Sequence, residues 1–335
     1  MTIARVADAN FRRFLAEHKG TLIGAGLVVV LVLVGAFTVK GFVSLANIRS
    51  ILLLAAFLGM ASLGQTLCAL LGALDLSIPF IIGSANIGLA SIMNLGVPPW
   101  IAFLIVLLGG LFIGVLNGIL SFRLQGQALI MTLGVGFAMV GGVQIVTSLG
   151  TRYGGNVFVR VPEWLTNLAS INGSTFGLSI PPVIIVWFCL YVAVVLFMGN
   201  SRHGRSFYAL GGNRAASKLL SISELKLWVG AYAVSGGMAA ITGMLLLGFS
   251  GGGFVGVGDP YLLTTVAAVV VGGTSLLGGW GGYGSTVIGA LVLTVLTSLF
   301  VGVGFSYAAQ QAICGLLIVP MVALYARSPH IRMQI

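Results

Sequence analysis

The sequence predicts an all-α polytopic membrane protein of about ten transmembrane helices, and three observations predict it. The 335 residues are 58% hydrophobic and only 7% charged, where a soluble domain carries about 25% charged residues. Apolar runs of the roughly 20 residues needed to cross a bilayer recur along the whole chain. Those runs are too continuously apolar for barrel strands, which alternate over about 10 residues. The net charge of +10 does not mark a nucleic-acid binder, because the basic residues lie scattered over loops and ends and form no single face.

The predicted spans are residues 20–38, 48–71, 75–94, 99–121, 128–149, 180–199, 227–248, 261–277, 283–302 and 309–326. The polar, basic start before the first span is too long for a typical signal peptide. With the N-terminus inside, Arg5, Arg12, Arg13, Lys19, Arg123, Arg202, Arg205, Arg214, Lys218, Lys226, Arg327 and Arg332 fall in cytoplasmic segments. Only Lys40, Arg49, Arg152 and Arg160 fall outside. This asymmetry satisfies the positive-inside rule and puts both termini in the cytoplasm. The longest external segment, 150–180, holds Pro162, Trp164 and the turn cluster from Asn172 to Thr175. The chain reads as one transmembrane domain, 1–335, with a cytoplasmic loop at 200–226.

A faint repeat runs through the spans. Residues 59–67, from Gly59 through Gln65 and Thr66, parallel 237–245, and the Gly114 region parallels that around Gly289. Spans 2–5 and 7–10 then form two copies of inverted topology, a common construction in transporters. Gly110, Gly114 and Gly118 lie four apart, as do Ala231, Ser235, Ala239 and Gly243. Such ladders let helix backbones approach closely. The glycine clusters at 250–258 and 278–284 suit re-entrant or broken-helix backbone.

Few residues can carry chemistry. Asp75 is an acid embedded between spans, a costly placement that marks function by default. It also fits a helix cap before the third span, and both roles stay open. Asp259 before Pro260 fits an N-cap followed by proline at N1. Gln65, Thr66, Asn86, Asn117, Thr132, Gln144, Gln310 and Gln311 are uncharged polar residues within spans. They suit a pathway for a neutral polyhydroxylated solute, or hydrogen bonds between helices. The candidate pathway set is Asp75, Gln65, Asn86, Asn117 and Thr132. Cys68, Cys189 and Cys314 lie in apolar runs without metal-ligand spacing, and His18, His203 and His330 lie in polar segments. No metal, cofactor or catalytic residue is expected. The glycines at 279, 281 and 284 match a dinucleotide fingerprint only formally, since no strand precedes them and no acid follows. There is no phosphate-binding loop, so the chain cannot hydrolyse ATP itself.

Residues 200–226 form the one long polar, basic stretch between spans, with five of the sixteen Lys and Arg. Four blocks, in order and in register over about 45–325, carry a resemblance. They are Gly72-Ala-Leu-Asp75-Leu-Ser77, Gly114-Val-Leu-Asn117-Gly118, Gly204-Arg205-x-x-Tyr208-Ala-x-Gly211-Gly212-Asn213, and Gly272-Gly273-Thr274-Ser275-Leu-x-Gly278-Gly279. They resemble the permease subunits of ribose-type (monosaccharide) ABC importers, related to branched-chain amino-acid permeases. Four departures are Ala73 and Pro79 around Asp75, Gln127-Ala-Leu-Ile130 where the family has Pro-x-Phe-Ile before Thr132-Leu-Gly134, and Ser221 where the family has a late loop glycine.

The resemblance implies a non-enzymatic permease in the bacterial inner membrane that dimerises with a second copy or a paralogue around a path. A cytoplasmic ABC ATPase would dock on its loops and a periplasmic sugar-binding protein would deliver solute. Arg202, Gly204, Arg205, Tyr208, Gly211, Gly212, Asn213 and Arg214 would then form the ATPase-coupling segment. Gly211, Gly212 and Asn213 are expected to make a sharp turn at positive φ, with Arg205 and Arg214 on the ATPase or the headgroups. The alternative reading is an ATP-independent secondary transporter or channel for a neutral solute.

Overall fold

The computed structural model describes residues 19–124, 127–148, 156–306, 308–313 and 315–316. Arg5, Arg12, Arg13, His18, Arg152, Cys314, and the second half of the tenth predicted span with Arg327, His330 and Arg332 lie outside the described residues. The elements are α1 Lys19–Thr38, α2 Leu45–Leu70, α3 Ile78–Asn94, α4 Pro99–Arg123, α5 Ala128–Ser148, β1 Asn156–Val157, α6 Glu163–Ala169 and α7 Pro182–Asn200. There follow α8 Arg202–Gly212, α9 Arg214–Leu219, α10 Glu224–Ser250, β2 Gly253–Phe254, α11 Tyr261–Val271 and α12 Tyr283–Val303. Among the described residues, seven helices (α1, α2, α4, α5, α7, α10 and α12) are long and apolar enough to cross a membrane. The chain is an all-α polytopic membrane protein; its two-residue strands pair Asn156 with Phe254 and Val157 with Gly253.

Two long helices form the centre. Phe57 and Met60 of α2 and Tyr232, Ala239 and Met244 of α10 are fully enclosed. The α2 and α10 backbones cross at Gly64, where an added Cβ would overlap Ser235. The glycine ladder of α4 lies on α10, because a Cβ at Gly110, Gly114 or Gly118 would run into Gly236, Tyr232 or Val229. Around this pair the packing follows a pattern. Helix α10 lies on α2, α3 and α4, while α2 lies on α10, α11 and α12; α3 packs on α4 as α11 packs on α12. The outer helices expose apolar faces, such as Ile23 and Val29 of α1 and Leu108 and Phe112 of α4.

Two predicted spans come out shorter. Helix α2 stops at a Schellman motif, with Gly72 at φ +74° and N–H groups of Gly72 and Ala73 returning to the carbonyls of Ala69 and Cys68. The next helix begins at Ile78 instead of 75, with Pro79 in its first turn. Helix α11 ends at Val271 instead of 277, because Gly273 at φ +94° closes the same motif onto Val270 and Val269. Residues 253–258 form the irregular backbone expected of a glycine cluster. They lie so close on α3 that a Cβ at Gly83 would overlap the Val255 carbonyl oxygen.

Asp259 does not cap α11 as the sequence suggests. Pro260 occupies the N-cap position without a side-chain cap bond, and Asp259 contributes its backbone carbonyl, which accepts from Leu262.

Candidate functional site

Leu71, Ala73, Asp75 and Ser77 in the chain between α2 and α3 are buried, so its polar atoms must find partners inside. Asp75 is 1% exposed there. Its Oδ1 accepts from the Ser77 backbone N–H at 3.0 Å and from the Ser77 hydroxyl at 2.5 Å. Its Oδ2 accepts from Ser235 of α10 at 2.6 Å. A buried carboxyl is tolerated only when hydrogen-bonded, and three donors meet that need. The same segment is tied to three further helices. The Asp75 N–H donates to Gln65 Oε1 at 3.3 Å, the Leu76 N–H to Thr132 Oγ1 at 3.1 Å, and Asn117 Nδ2 to Ser77 Oγ at 2.8 Å. Tyr232 donates to the Leu74 carbonyl at 3.1 Å. Gln65 Nε2 and Asn117 Oδ1 are buried without a partner among the described residues.

Four of the five candidate pathway residues (Asp75, Gln65, Asn117 and Thr132) thus meet in one cluster spanning α2, α4, α5 and α10. Asn86 stands apart: its Nδ2 donates to the Gly243 carbonyl at 3.0 Å and its Oδ1 accepts from the Phe254 N–H at 2.8 Å. It satisfies the irregular backbone that follows α10. The carboxylate's turn ends on Ser77, the N-cap of α3, so Asp75 orders the approach to that helix without capping it directly. Ser235 and Tyr232 were not singled out in the sequence as chemistry. Ser235's place in a small-residue ladder was the only signal, and a ladder speaks of packing.

The remaining polar candidates separate. Thr66 donates to Thr286 at 2.8 Å, joining α2 to α12. Gln144 lies on the exposed face of α5. Gln310 and Gln311 border a cavity of about 160 Å³ whose wall includes Leu58, Thr264, Thr294 and Thr297.

Residues 200–226 fold into two short helices against the end of α2. Ser201 caps α8 by accepting from Gly204 at 2.9 Å. The apolar face of α8, Phe207 and Leu210, sinks into a core with Leu67, Leu70, Trp228 and Tyr283, worth about 1.5–3 kcal/mol per side chain. Gly204 lies where a Cβ would overlap the Met198 carbonyl oxygen. Tyr208 donates to the Gly281 carbonyl at 3.0 Å, and burial pushes its phenol above the ordinary value, so it stays a donor.

The turn expected at Gly211, Gly212 and Asn213 has another form, since none of the three has positive φ. Gly211 and Gly212 complete α8, and Asn213 in extended backbone caps α9, accepting from Ala216 at 2.9 Å. Gly211 is needed for closeness instead: a Cβ there would overlap the Leu70 carbonyl oxygen and sit 2.6 Å from the Gly279 nitrogen. Nothing lies within 4 Å of a Cβ at Gly212. The left-handed residue is Ser221, at φ +55°, the position at which the sequence departs from a glycine.

Arg214 is engaged within the chain. Its Nη2 donates to the Leu71 carbonyl at 3.1 Å, its Nη1 lies 3.6 Å from Glu224 Oε1, and its guanidinium sits 5.0 Å over the Trp228 ring. Arg202 and Arg205 are exposed on α8, Arg205 donating to the Asn200 carbonyl at 3.1 Å.

The described residues form a multi-pass helical bundle with buried glycine crossings, a hydrogen-bonded break after α2 and a docked basic helix pair. Residues 47–322 match the family described as branched-chain amino acid transport system / permease component, and the chain belongs to that family. It is 31% identical to the probable ABC transporter permease protein YphD of Escherichia coli over 94% of this chain and 92% of that one. It is 30% identical to the ribose import permease protein RbsC of Haemophilus influenzae over 87% of each chain. It is 28% identical to the fructose import permease protein FruG of Bifidobacterium longum, over 91% of this chain and 89% of that one. No solved structure matches. A permease component moves a solute without transforming it, so no catalytic residue is called for.

Proposed function

We propose that this chain is the membrane permease of a binding-protein-dependent ABC importer. It carries a monosaccharide or similar small neutral polar solute into the cytoplasm. A separate ATPase drives it, and a periplasmic binding protein supplies the solute. The observation that carries this reading is likeness along nearly the whole chain to permeases named for ribose and fructose import. The α8–α9 pair supports the coupling role. It sets exposed Arg202, Arg205 and Lys218 on one side and docks on the ends of α2 and α10 through Phe207, Leu210 and Arg214 on the other. Asp75, Gln65, Asn117 and Thr132 hold the break between α2 and α3 in register beside the path, and Asn86 does the same for 253–258.

The finer architecture is ten spans in two inverted copies, with both termini cytoplasmic. The packing supports the repeat: exchanging α2, α3 and α4 for α10, α11 and α12 turns the contacts among these six helices into one another. Both copies follow a long helix with irregular backbone and a shorter helix, α3 or α11. A second copy or a paralogue completes the path.

The test is reconstitution with the ATPase and binding protein in liposomes, following radiolabelled ribose and fructose. Uptake should require ATP and persist after proton and sodium gradients are collapsed. Gradient-driven uptake without ATP would instead establish the secondary-transporter reading.

A further inference from the structure

The exchange that relates the two halves sets the Asp75 cluster, which α2, α4, α5 and α10 form at the start of α3, against a counterpart among α2, α11, α12 and residues 308–313. The first position is filled by knotted side chains and backbone. The second is the open cavity of about 160 Å³, many times the ~10–15 Å³ that one water requires. We infer that this cavity is a point of contact for the solute in transit. Thr264, Thr294, Thr297 and Gln310 are then the side chains that read a neutral polyhydroxylated molecule there. This inference rests on the permease reading above and deepens it.

Depth is the first argument. Leu58 and Thr294 lie near the middle of α2 and α12, so the cavity sits near the centre of the bilayer. Exposure is the second. Gln311 and Pro260 are exposed, and Thr264, Thr297 and Gln310 are half-buried, on this outward side of the chain. Hydrocarbon offers such groups no partners. The face therefore meets water or a second chain, and a path enclosed by two chains supplies both.

Chemistry is the third argument. The Thr264 and Thr294 hydroxyls donate to their own helix, to the Pro260 carbonyl at 2.6 Å and the Ala290 carbonyl at 2.8 Å. Each oxygen retains lone pairs that can accept from another hydroxyl. Thr297 makes no hydrogen bond to another described residue. Gln310 donates to the Phe305 carbonyl at 3.0 Å, leaving its amide oxygen to accept. The wall thus sets these acceptors and the Thr297 hydroxyl beside Leu54, Leu58, Tyr261 and Leu293, and among the described residues no charged side chain lines it. Such a set suits a sugar or polyol, rich in hydroxyl donors and without charge. It is poorly matched to an ion or an amino acid, which would require a counter-charge at this depth.

The experiment has two arms. In the first, Thr294→Val, Thr297→Val and the double variant are reconstituted with the ATPase and binding protein, and ribose and fructose uptake is followed. Valine keeps the volume and removes the hydroxyl. The double variant should lose about tenfold in uptake and change its ribose-to-fructose ratio. Hydrolysis stimulated by loaded binding protein should be kept, since the coupling helices are untouched. Unchanged rate and ratio would overturn the inference while ATP-dependent wild-type uptake left the permease reading standing. The second arm needs no transported solute. Thr297→Cys in a Cys68→Ala, Cys189→Ala, Cys314→Ala background should react with a charged, membrane-impermeant thiol reagent. Leu108→Cys, on the apolar outer face of α4, should not. A Thr297→Cys variant as inert as the Leu108→Cys control would show a lipid-facing or packed surface and remove the site.

Discussion

Gly211→Ala tests the joint between the docked helix pair and the membrane bundle. The added methyl would overlap the Leu70 carbonyl oxygen and approach the Gly279 nitrogen to 2.6 Å. Those two atoms are themselves hydrogen-bonded at 3.0 Å. Forcing them apart forfeits that bond, about 0.5–1.5 kcal/mol net, and adds overpacking of about 1–3 kcal/mol. Alanine returns up to about 1 kcal/mol through helix propensity. With that full return the balance is about 0.5–3.5 kcal/mol against docking of α8, a shift of roughly 2- to 400-fold in the docked equilibrium. Gly212→Ala meets no such obstacle and supplies the control. Hydrogen exchange over 202–219 should accelerate in Gly211→Ala and not in Gly212→Ala. ATPase co-purification and coupled hydrolysis should fall in the same order. Equal exchange in the two variants, with normal uptake in both, would refute the close-approach argument.

Asp75→Asn keeps an acceptor for Ser77, and Ser235 can rotate to accept from the new amide, so assembly should be near normal. Asp75→Leu strands three buried donors at about 1–3 kcal/mol each and should collapse membrane yield; equal yields for the two would show that the hydrogen bonds do not hold the segment. Ser221→Gly should raise the thermal midpoint by relieving a left-handed serine, worth about 1–2 kcal/mol, and an unchanged midpoint would show no strain at that turn. For orientation, cysteine at the exposed Phe176 should be labelled from outside and cysteine at the exposed Leu219 only from inside, each in a Cys189→Ala background. The opposite labelling pattern would invert the topology.

The seven long apolar helices were legible because bilayer thickness fixes their length and composition marks them. Their ends were less so. Nothing in the apolar run from Val269 to Leu277 except its paired glycines announces that α11 stops at Val271, and glycine pairs also occur inside helices. Asp75, Gln65, Asn117 and Thr132 could be picked out as polar atoms in apolar helices. Their convergence, and the separation of Asn86, depend on helix rotation and on where the chain breaks, which a periodic pattern does not set. The loop shows the sharpest difference. Gly211 and Gly212 suggest positive φ, since that is glycine's commonest special use, yet Gly211 serves by having no side chain. The left-handed position fell to Ser221. Arg214 counted as surface charge by composition, and only the fold brings Leu71, Glu224 and Trp228 around it.

The link between the Leu70 carbonyl and the Gly279 amide has a mechanical consequence. It fastens the end of α2 to the loop leading into α12, and Gly211 is seated on the fastening. A push on α8 therefore cannot prise these two parts apart without tearing main chain from main chain. A displacement of α8 is therefore shared by the end of α2 and the loop before α12.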